Sequence, residues 1–148
     1  MNHRTLSLSQ RAALALVLPA LAALSSLACV TTPAPQEMHS GFAVPASEGS
    51  VDASKVANGN TLVVIRVKHL APPAKLAPDA TTYVVWIQPR NGDLQNVGAL
   101  TLNGDLQGEL DTLTPHSRFR VVVTPEASGR VAVPAHPPVF TADVERHD

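Results

Sequence analysis

The stretch Thr82-Tyr83-Val84-Val85-Trp86-Ile87-Gln88 decides the fold class. Its apolar residues fall on both faces of a strand, and it is rich in β-branched and aromatic residues. Both features are typical of a strand that is covered on both sides. A Pro-rich loop over 71–80 precedes it and Pro89 follows it. Because proline cannot donate a hydrogen bond to a neighbouring strand, it marks the limits of the strand. The stretch therefore predicts a central β-strand.

Further strands are predicted on both sides of this one. Residues 61–68 and 117–124 alternate between apolar and charged side chains, as half-buried strands do, and shorter apolar stretches occur at 97–102, 131–133 and 139–144. No segment after residue 60 has the caps of an amphipathic helix. About six or seven short strands separated by turns predict an all-β fold, an immunoglobulin-like antiparallel β-sandwich over 61–148.

Aromatic side chains are scarce, at 3% of the chain, and four of the five lie in the predicted strands. The sequence predicts that these four form the centre of the core: Tyr83, Trp86, Phe119 and Phe140.

A short internal repeat lies between the central strands. Asn91-Gly92-Asp93-Leu94-Gln95 recurs as Asn103-Gly104-Asp105-Leu106-Gln107. Asn-Gly favours two-residue hairpins because both residues tolerate a positive φ in a type I′ turn. Calcium bound by the oxygens of these turns is the alternative, although no bidentate Glu follows at the spacing of a calcium loop. The repeat predicts two tight hairpins.

The N-terminus has the three-part pattern of an export signal. Arg4 and Arg11 precede the uncharged apolar run 12–24, and small residues follow up to Ala28. The run has 13 residues, whereas a spanning helix needs about 20. Residues 1–28 are therefore predicted to be a cleaved signal peptide.

Cys29 is the only cysteine, and it directly follows Ser26-Leu27-Ala28. This arrangement resembles the lipobox of bacterial lipoproteins. The resemblance implies that the Cys29 thiol receives a diacylglyceryl group, that the chain is cut between Ala28 and Cys29, and that the new N-terminus is acylated, typically with palmitate. Two or three acyl chains anchor a protein stably. An ordinary signal peptide, cut at the same place, is the alternative.

The residue after a lipidated cysteine sorts many Gram-negative lipoproteins, with Asp favouring the inner membrane. Val30 therefore favours the outer membrane, facing the periplasm, with the inner membrane or a cell surface as alternatives. Residues 29–60 are rich in Pro, Ser and Ala without a period of 2 or 3.6, and this composition predicts a flexible, disordered tether.

Composition excludes several classes of protein. Without residues 1–28, nine basic and twelve acidic residues remain, a net charge of -3, and no basic patch for nucleic acid is present. A single cysteine supplies neither an intramolecular disulfide nor a thiolate cluster for zinc.

A series of motifs runs through residues 61–144. The first two motifs are Leu70-Ala71-Pro72-Pro73 and Tyr83-Val84-Val85-Trp86. They are followed in order by Val121-Val122-Val123-Thr124-Pro125-Glu126, Gly129 and Pro137-Pro138-Val139-Phe140. Their order and spacing resemble the extracytoplasmic domain of the anti-sigma-K factor family, in which Glu usually precedes Pro at the corner. The resemblance implies a β-sandwich on the outer side of a membrane, and it brings no catalytic residues.

Motifs for chemistry are sparse. His69, His116 and His136 lie at predicted strand ends or in loops, so a metal site requires that they converge. No Gly-x-Ser-x-Gly elbow and no Gly-rich phosphate loop occurs in the sequence. The sequence therefore predicts a protein without enzymatic activity, cofactor or metal.

The predicted function is that of a lipid-anchored cell-envelope protein. Its membrane contact is the lipid on Cys29, and its sandwich serves as an interaction or structural module for an envelope protein partner. An accessory regulatory domain that acts with an envelope anti-sigma factor system is the alternative, and a metal-binding periplasmic protein is a more distant one.

Overall fold

The computed structural model describes residues 33–41 and 44–148. The predictions for the signal peptide, its cleavage after Ala28, the lipidation of Cys29 and the sorting role of Val30 lie outside these residues. Two antiparallel sheets form the described part of the chain, and they confirm the prediction of an all-β antiparallel β-sandwich. No helix among the described residues has the length and hydropathy of a membrane span.

Within the described residues, the fold consists of nine strands and one turn of 3-10 helix, Pro73–Lys75. The strands are β1 (Gln36–Glu37), β2 (His39–Ser40), β3 (Glu48–Lys55), β4 (Thr61–Lys68), β5 (Thr82–Pro89), β6 (Gln95–Leu100), β7 (Gly108–Thr114), β8 (Arg118–Glu126) and β9 (Phe140–Glu145). Sheet A has the order β1-β3-β4-β7, and sheet B has the order β2-β9-β8-β5-β6.

Because neighbouring strands are antiparallel, the connections gather at two ends of the sandwich. We call these the upper end and the lower end. The upper end holds loops 69–81, 101–107 and 127–139, and the lower end holds turns 56–60, 90–94 and 115–117 together with the C-terminus.

The two strands predicted at 61–68 and 82–88 are β4 and β5. β5 lies between β8 and β6, and its side chains from Tyr83 to Ile87 are all 0% exposed because both faces of sheet B are covered there. In β4 the apolar positions at alternate residues face the core, whereas Arg66 and Lys68 are exposed. The period of two therefore assigned the faces of β4 correctly.

The four aromatic rings do not share one centre. Tyr83, Phe119 and Phe140 lie in the core between the sheets, whereas Trp86 packs with Val84 and Val122 on the outer face of sheet B. Tyr83 and Trp86 are three positions apart in one strand, and such residues point to opposite faces. The prediction of a single aromatic centre is thus wrong for Trp86.

The domain boundary predicted at residue 60 is wrong as well. β3 lies inside the predicted tether, and it pairs with β4 along its whole length from Glu48 to Lys55. Its side chains Val51 and Ala53 are 1% and 3% exposed. β1 and β2 attach the preceding segment to sheet A and sheet B in turn, with Met38 buried between them. The sandwich therefore begins by Gln36.

The composition of β3 explains why its period is hidden in the sequence. Its inward positions include Gly49 and Ala53, which carry little apolar surface. A Cβ atom at Gly49 would come within 2.9 Å of the Phe140 ring, so the large ring on sheet B fills the space that a larger side chain would occupy. The inward residues of β3 do alternate with Ser50, Asp52 and Ser54, but only Val51 among them is a large apolar residue, so the alternation is weak.

The second Asn-Gly turn is not a hairpin. It connects β6 of sheet B to β7 of sheet A, and neither Asn103 nor Gly104 has a positive φ. Instead, the Asn103 side-chain oxygen accepts the N–H groups of Asp105 and Gln107 at 3.0 and 2.9 Å, and Leu106 takes a φ of 58°. The first turn does join the paired strands β5 and β6, but it also lacks the positive φ values of type I′.

Tyr83, the only tyrosine, gives the fold a dependence on alkaline pH. Its hydroxyl donates to the Ala71 carbonyl over 2.6 Å, and burial raises the pKa of Tyr83 from 10.0 to about 12. The unfolded chain loses this proton first as the pH rises. The corresponding stability is therefore complete below about pH 10 and is lost progressively between about pH 10 and 12.

We expect the urea midpoint to fall over that range in the wild type and to fall less in Tyr83→Phe, which removes the titrating group. The variant should also lose about 1 kcal/mol at neutral pH with the Ala71 hydrogen bond. If the urea midpoints of the two proteins fell equally steeply with pH in this range, Tyr83 would not be the group responsible.

Candidate functional site

Glu126 is the one buried charged residue among those that the structure describes, and it is 0% exposed. It ends β8 directly after Pro125, which is tolerated in this strand because β9 pairs with β8 only as far as Val123. Like Val122 and Thr124, Glu126 faces outward from sheet B, since alternate residues share a face. Loop 127–139 covers this part of the sheet.

Hydrogen bonds join Glu126 to its surroundings in a chain that we call the Glu126 network (Trp86, Thr124, Glu126, His136 and Asp79). Trp86 Nε1 donates to Thr124 Oγ1 over 2.8 Å, and Thr124 Oγ1 donates to Glu126 Oε1 over 2.6 Å. The backbone N–H of Ala135 is shared by Oε1 and Oε2 at 3.1 and 3.2 Å. The buried carboxylate is thus satisfied by one hydroxyl and one backbone N–H.

His136 links the Glu126 network to the loop before β5. Its Nε2 lies 3.0 Å from Asp79 Oδ1. Its Nδ1 lies 3.7 Å from Glu126 Oε2 and has no hydrogen-bond partner in the part of the chain that the structure describes. The imidazole therefore stands between two carboxylates, one exposed and one buried, at the upper end of the sandwich.

Other contacts hold loop 127–139 against sheet B. Asn96 Nδ2 donates to the carbonyls of Gly129 and Val131 at 3.1 and 2.8 Å. A Cβ atom at Gly129 would lie 2.8 Å from Ala99 Cβ, so glycine permits the close approach of the loop to β6. The loop includes residues 131–133, which the sequence predicted as a strand, but it has no strand pairing of its own.

The Glu126 network can hold the loop surface above it in place, because the Glu126 carboxylate is buried beneath loop 127–139. A general acid or base must reach a substrate proton within hydrogen-bond distance, and the Glu126 carboxylate is 0% exposed. In this structure the Glu126 carboxylate accepts the backbone N–H of Ala135 and so ties loop 127–139 to the end of β8.

The histidines considered for a metal site do not converge. His69 and His136 belong to the upper end, whereas His116 lies in the lower turn 115–117. Within residues 33–41 and 44–148, no group of three His, Cys, Asp or Glu side chains is placed to hold a metal ion, and this holds for both Asn-Gly-Asp turns.

A groove with a volume of about 690 Å³ lies at the lower end of sheet B. Two cross-strand ion pairs line it. Arg118 pairs with Glu145, and Arg120 holds Asp143 through two hydrogen bonds of 2.9 and 3.0 Å. The hydrogen bond from Arg120 lowers the pKa of Asp143 below its ordinary value. Because both pairs are exposed, they contribute little to stability.

Sequence reasoning identified Trp86 and considered His136 only as a metal ligand, and it missed Thr124, Glu126 and Asp79. The sequence did contain one indication of this site. Glu126 lies at an alternate position after Val122 and Thr124, so it shares their face of β8, next to the apolar outer face of β5. The return of loop 127–139 over this face, which makes the face buried, is not visible in local sequence.

Comparison of the chain with protein-family models, with curated proteins and with solved structures found no match.

Proposed function

We propose that the chain is a lipid-anchored cell-envelope protein, and that its sandwich is a non-catalytic interaction or structural module on the periplasmic side of the outer membrane. The observation that carries the proposal is the lipobox-like Ser26-Leu27-Ala28-Cys29 after the apolar run 12–24. The early start of the sandwich adds how close such an anchor would hold the domain. Seven residue steps separate Cys29 from Gln36, the first residue of β1. A fully extended chain of that length reaches about 25 Å. An anchor at Cys29 would thus keep the domain close to the bilayer.

β1 pairs antiparallel with β3, with Gln36 opposite Val51 and Glu37 opposite Ser50, so β1 runs from the lower end toward the upper end. The upper end carries loop 127–139, which the Glu126 network ties to β8, and this loop is one exposed surface that a partner can contact.

Replacement of Cys29 tests the anchor. We expect Cys29→Ala to move the protein from the membrane fraction to the soluble periplasmic fraction and to abolish incorporation of labelled palmitate, because the thiol is the only site for the diacylglyceryl group. Val30→Ala is the matched control, and it should remain in the membrane fraction with its label. Membrane retention of Cys29→Ala at the wild-type level would refute the anchor.

The resemblance over residues 61–144 supports a second proposal, an accessory regulatory role beside an envelope anti-sigma factor. The sandwich that the resemblance implied is present in the structure. Photo-crosslinking from the upper end, at Arg130 in loop 127–139, is expected to recover an anti-sigma factor from intact cells if this role is real. Recovery of other envelope proteins alone would reject it.

A further inference from the structure

The sandwich has four strand edges, and three of them are poor templates for another strand. β1 and β2 have two residues each, and the pairing of β6 with β5 shifts register between Val85 and Trp86, beside Gly98. β7 is different. Its seven residues, Gly108–Thr114, pair with β4 in unbroken register and include neither proline nor lysine. A long edge with regular pairing on its inner side can accept an additional strand.

The direction of the backbone groups in β7 follows from the alternation of hydrogen bonds in antiparallel sheets. On the outer edge of β3, Lys55 N donates to His147 O and His147 N donates to Ala53 O, so the odd-numbered residues of β3 point away from β4. In the β3–β4 register, even-numbered residues of β3 pair with even-numbered residues of β4, so the odd-numbered residues of β4 point toward β7. These pair with even-numbered residues of β7, whose backbone groups therefore point toward β4. The residues whose N–H and C=O groups point to the free edge are Glu109, Asp111 and Leu113.

The side chains of these three residues share the outer face of sheet A. Glu109 is already paired with Arg66 at 2.6 Å. Asp111 makes no ion pair within the described ranges, and the residue opposite it in β4 is the apolar Val64. Leu113 is 56% exposed. An added strand would therefore meet an acidic position and, two residues further, an apolar one.

We propose that the β7 edge binds an extended segment of a partner protein by strand addition, with a basic side chain opposite Asp111 and an apolar side chain opposite Leu113. Main-chain hydrogen bonds would provide affinity, and the alternate side chains would provide specificity. A second copy of this chain is a poorer occupant, because antiparallel pairing centred on Asp111 places two carboxylates directly opposite each other. The inference rests on the proposed function as an interaction module and names its surface.

A cyclic hairpin peptide is a suitable probe, since it is already extended and loses little conformational freedom on binding. One strand would read Val-Thr-Lys-Thr-Lys, so that Val meets Leu113 and the two lysines meet Asp111 and Glu109. We expect amide resonances of the full chain in detergent micelles to shift at these three residues and their neighbours, with slower hydrogen exchange at the three N–H groups. The same peptide with Glu in place of Lys should bind at least tenfold more weakly.

Three controls separate backbone pairing from simple charge attraction. An N-methylated version of the basic peptide cannot form the ladder, and it should bind at least tenfold more weakly without any change in the protein. Asp111→Asn should weaken binding several-fold, whereas Asp105→Asn in loop 101–107 should leave it unchanged. Asp111→Pro removes the outward N–H together with the carboxylate, so it should weaken binding well beyond Asp111→Asn while circular dichroism stays that of the wild type.

Several results would overturn the inference. These are equal binding of the methylated peptide, shifts confined to β6 or to the loops, or no shift at all. A dimer in analytical ultracentrifugation that Asp111→Pro dissociates would assign the edge to a second copy instead. None of these results depends on Cys29, so the peptide experiment can fail while the anchor stands, and membrane release of the Cys29 variant can fail while the edge binds.

Discussion

A chain shortened to residues 61–148 is expected to be unfolded, although it contains every segment that the sequence pattern assigned to the sandwich. The truncation removes β3, which pairs with β4 along eight residues. It also removes the buried side chains of Met38, Val44 and Val51. Burial of each such side chain contributes about 1.5–3 kcal/mol, so their loss together approaches the whole stability of a small domain, about 5–15 kcal/mol.

The same truncation turns β4 into an edge strand. Val63 and Ile65, both 0% exposed in the intact domain, would lose the cover of β1 and β3 at that side of the core. A hydrophobic edge of this kind is prone to aggregation. Far-ultraviolet circular dichroism and urea titration of 61–148 should show no cooperative transition.

A chain of residues 33–148 is the matched control, because it retains all nine strands. It is expected to unfold in a single cooperative step. A cooperative transition of 61–148 with a midpoint equal to that of 33–148 would show that β3 is dispensable and would restore the boundary at residue 60.

Trp86→Ala is expected to lower the free energy of unfolding by about 3–5 kcal/mol, the usual cost of deleting a buried aromatic ring. The ring is 0% exposed and packs between Val84, Val122 and the covering residues Leu94 and Val131. Because Val131 belongs to loop 127–139, we also expect faster hydrogen exchange in that loop. Guanidinium unfolding followed by circular dichroism measures the first effect and exchange mass spectrometry the second.

Trp86→Phe is the control that separates the ring from its N–H group. It keeps most of the apolar surface but removes the donor to Thr124, and a cost of about 1 kcal/mol is expected from the lost hydrogen bond. A loss below about 1 kcal/mol for Trp86→Ala would mean that the outer face of sheet B is not sealed as the structure has it. Faster loop exchange in Trp86→Phe, without a change in global stability, would place the coupling in the Glu126 network.

Strands with regular patterns were predictable, and strands with small residues were not. β4 and β5 coincide with 61–68 and 82–88 to within one residue, because Val, Ile and Trp side chains mark their buried positions. β3 escaped prediction since its inward Gly49 is matched by Phe140, which is distant in sequence and lies on the other sheet. A sequence pattern is read along a single strand, whereas the large Phe140 ring that compensates for the small Gly49 belongs to a different strand.

The candidate site was less predictable than the fold. Trp86 was singled out by its residue type, but its position outside the central core follows from the parity of β5, which cannot be read where both faces are apolar. Thr124 and Glu126 are two residues apart on one strand, whereas His136 and Asp79 are separated by 57 positions. Contacts of that range depend on how the loops return over sheet B.

The sequence by itself determined that residues 61–148 belong to an antiparallel sandwich, because side-chain alternation and turn residues act locally. Only the tertiary structure decided where the sandwich begins, which face Trp86 occupies, how Glu126 is satisfied and which edge stays open. Each of these depends on contacts between segments remote in the chain. The physical reason is that burial, hydrogen-bond satisfaction and strand pairing are properties of the assembled sheets.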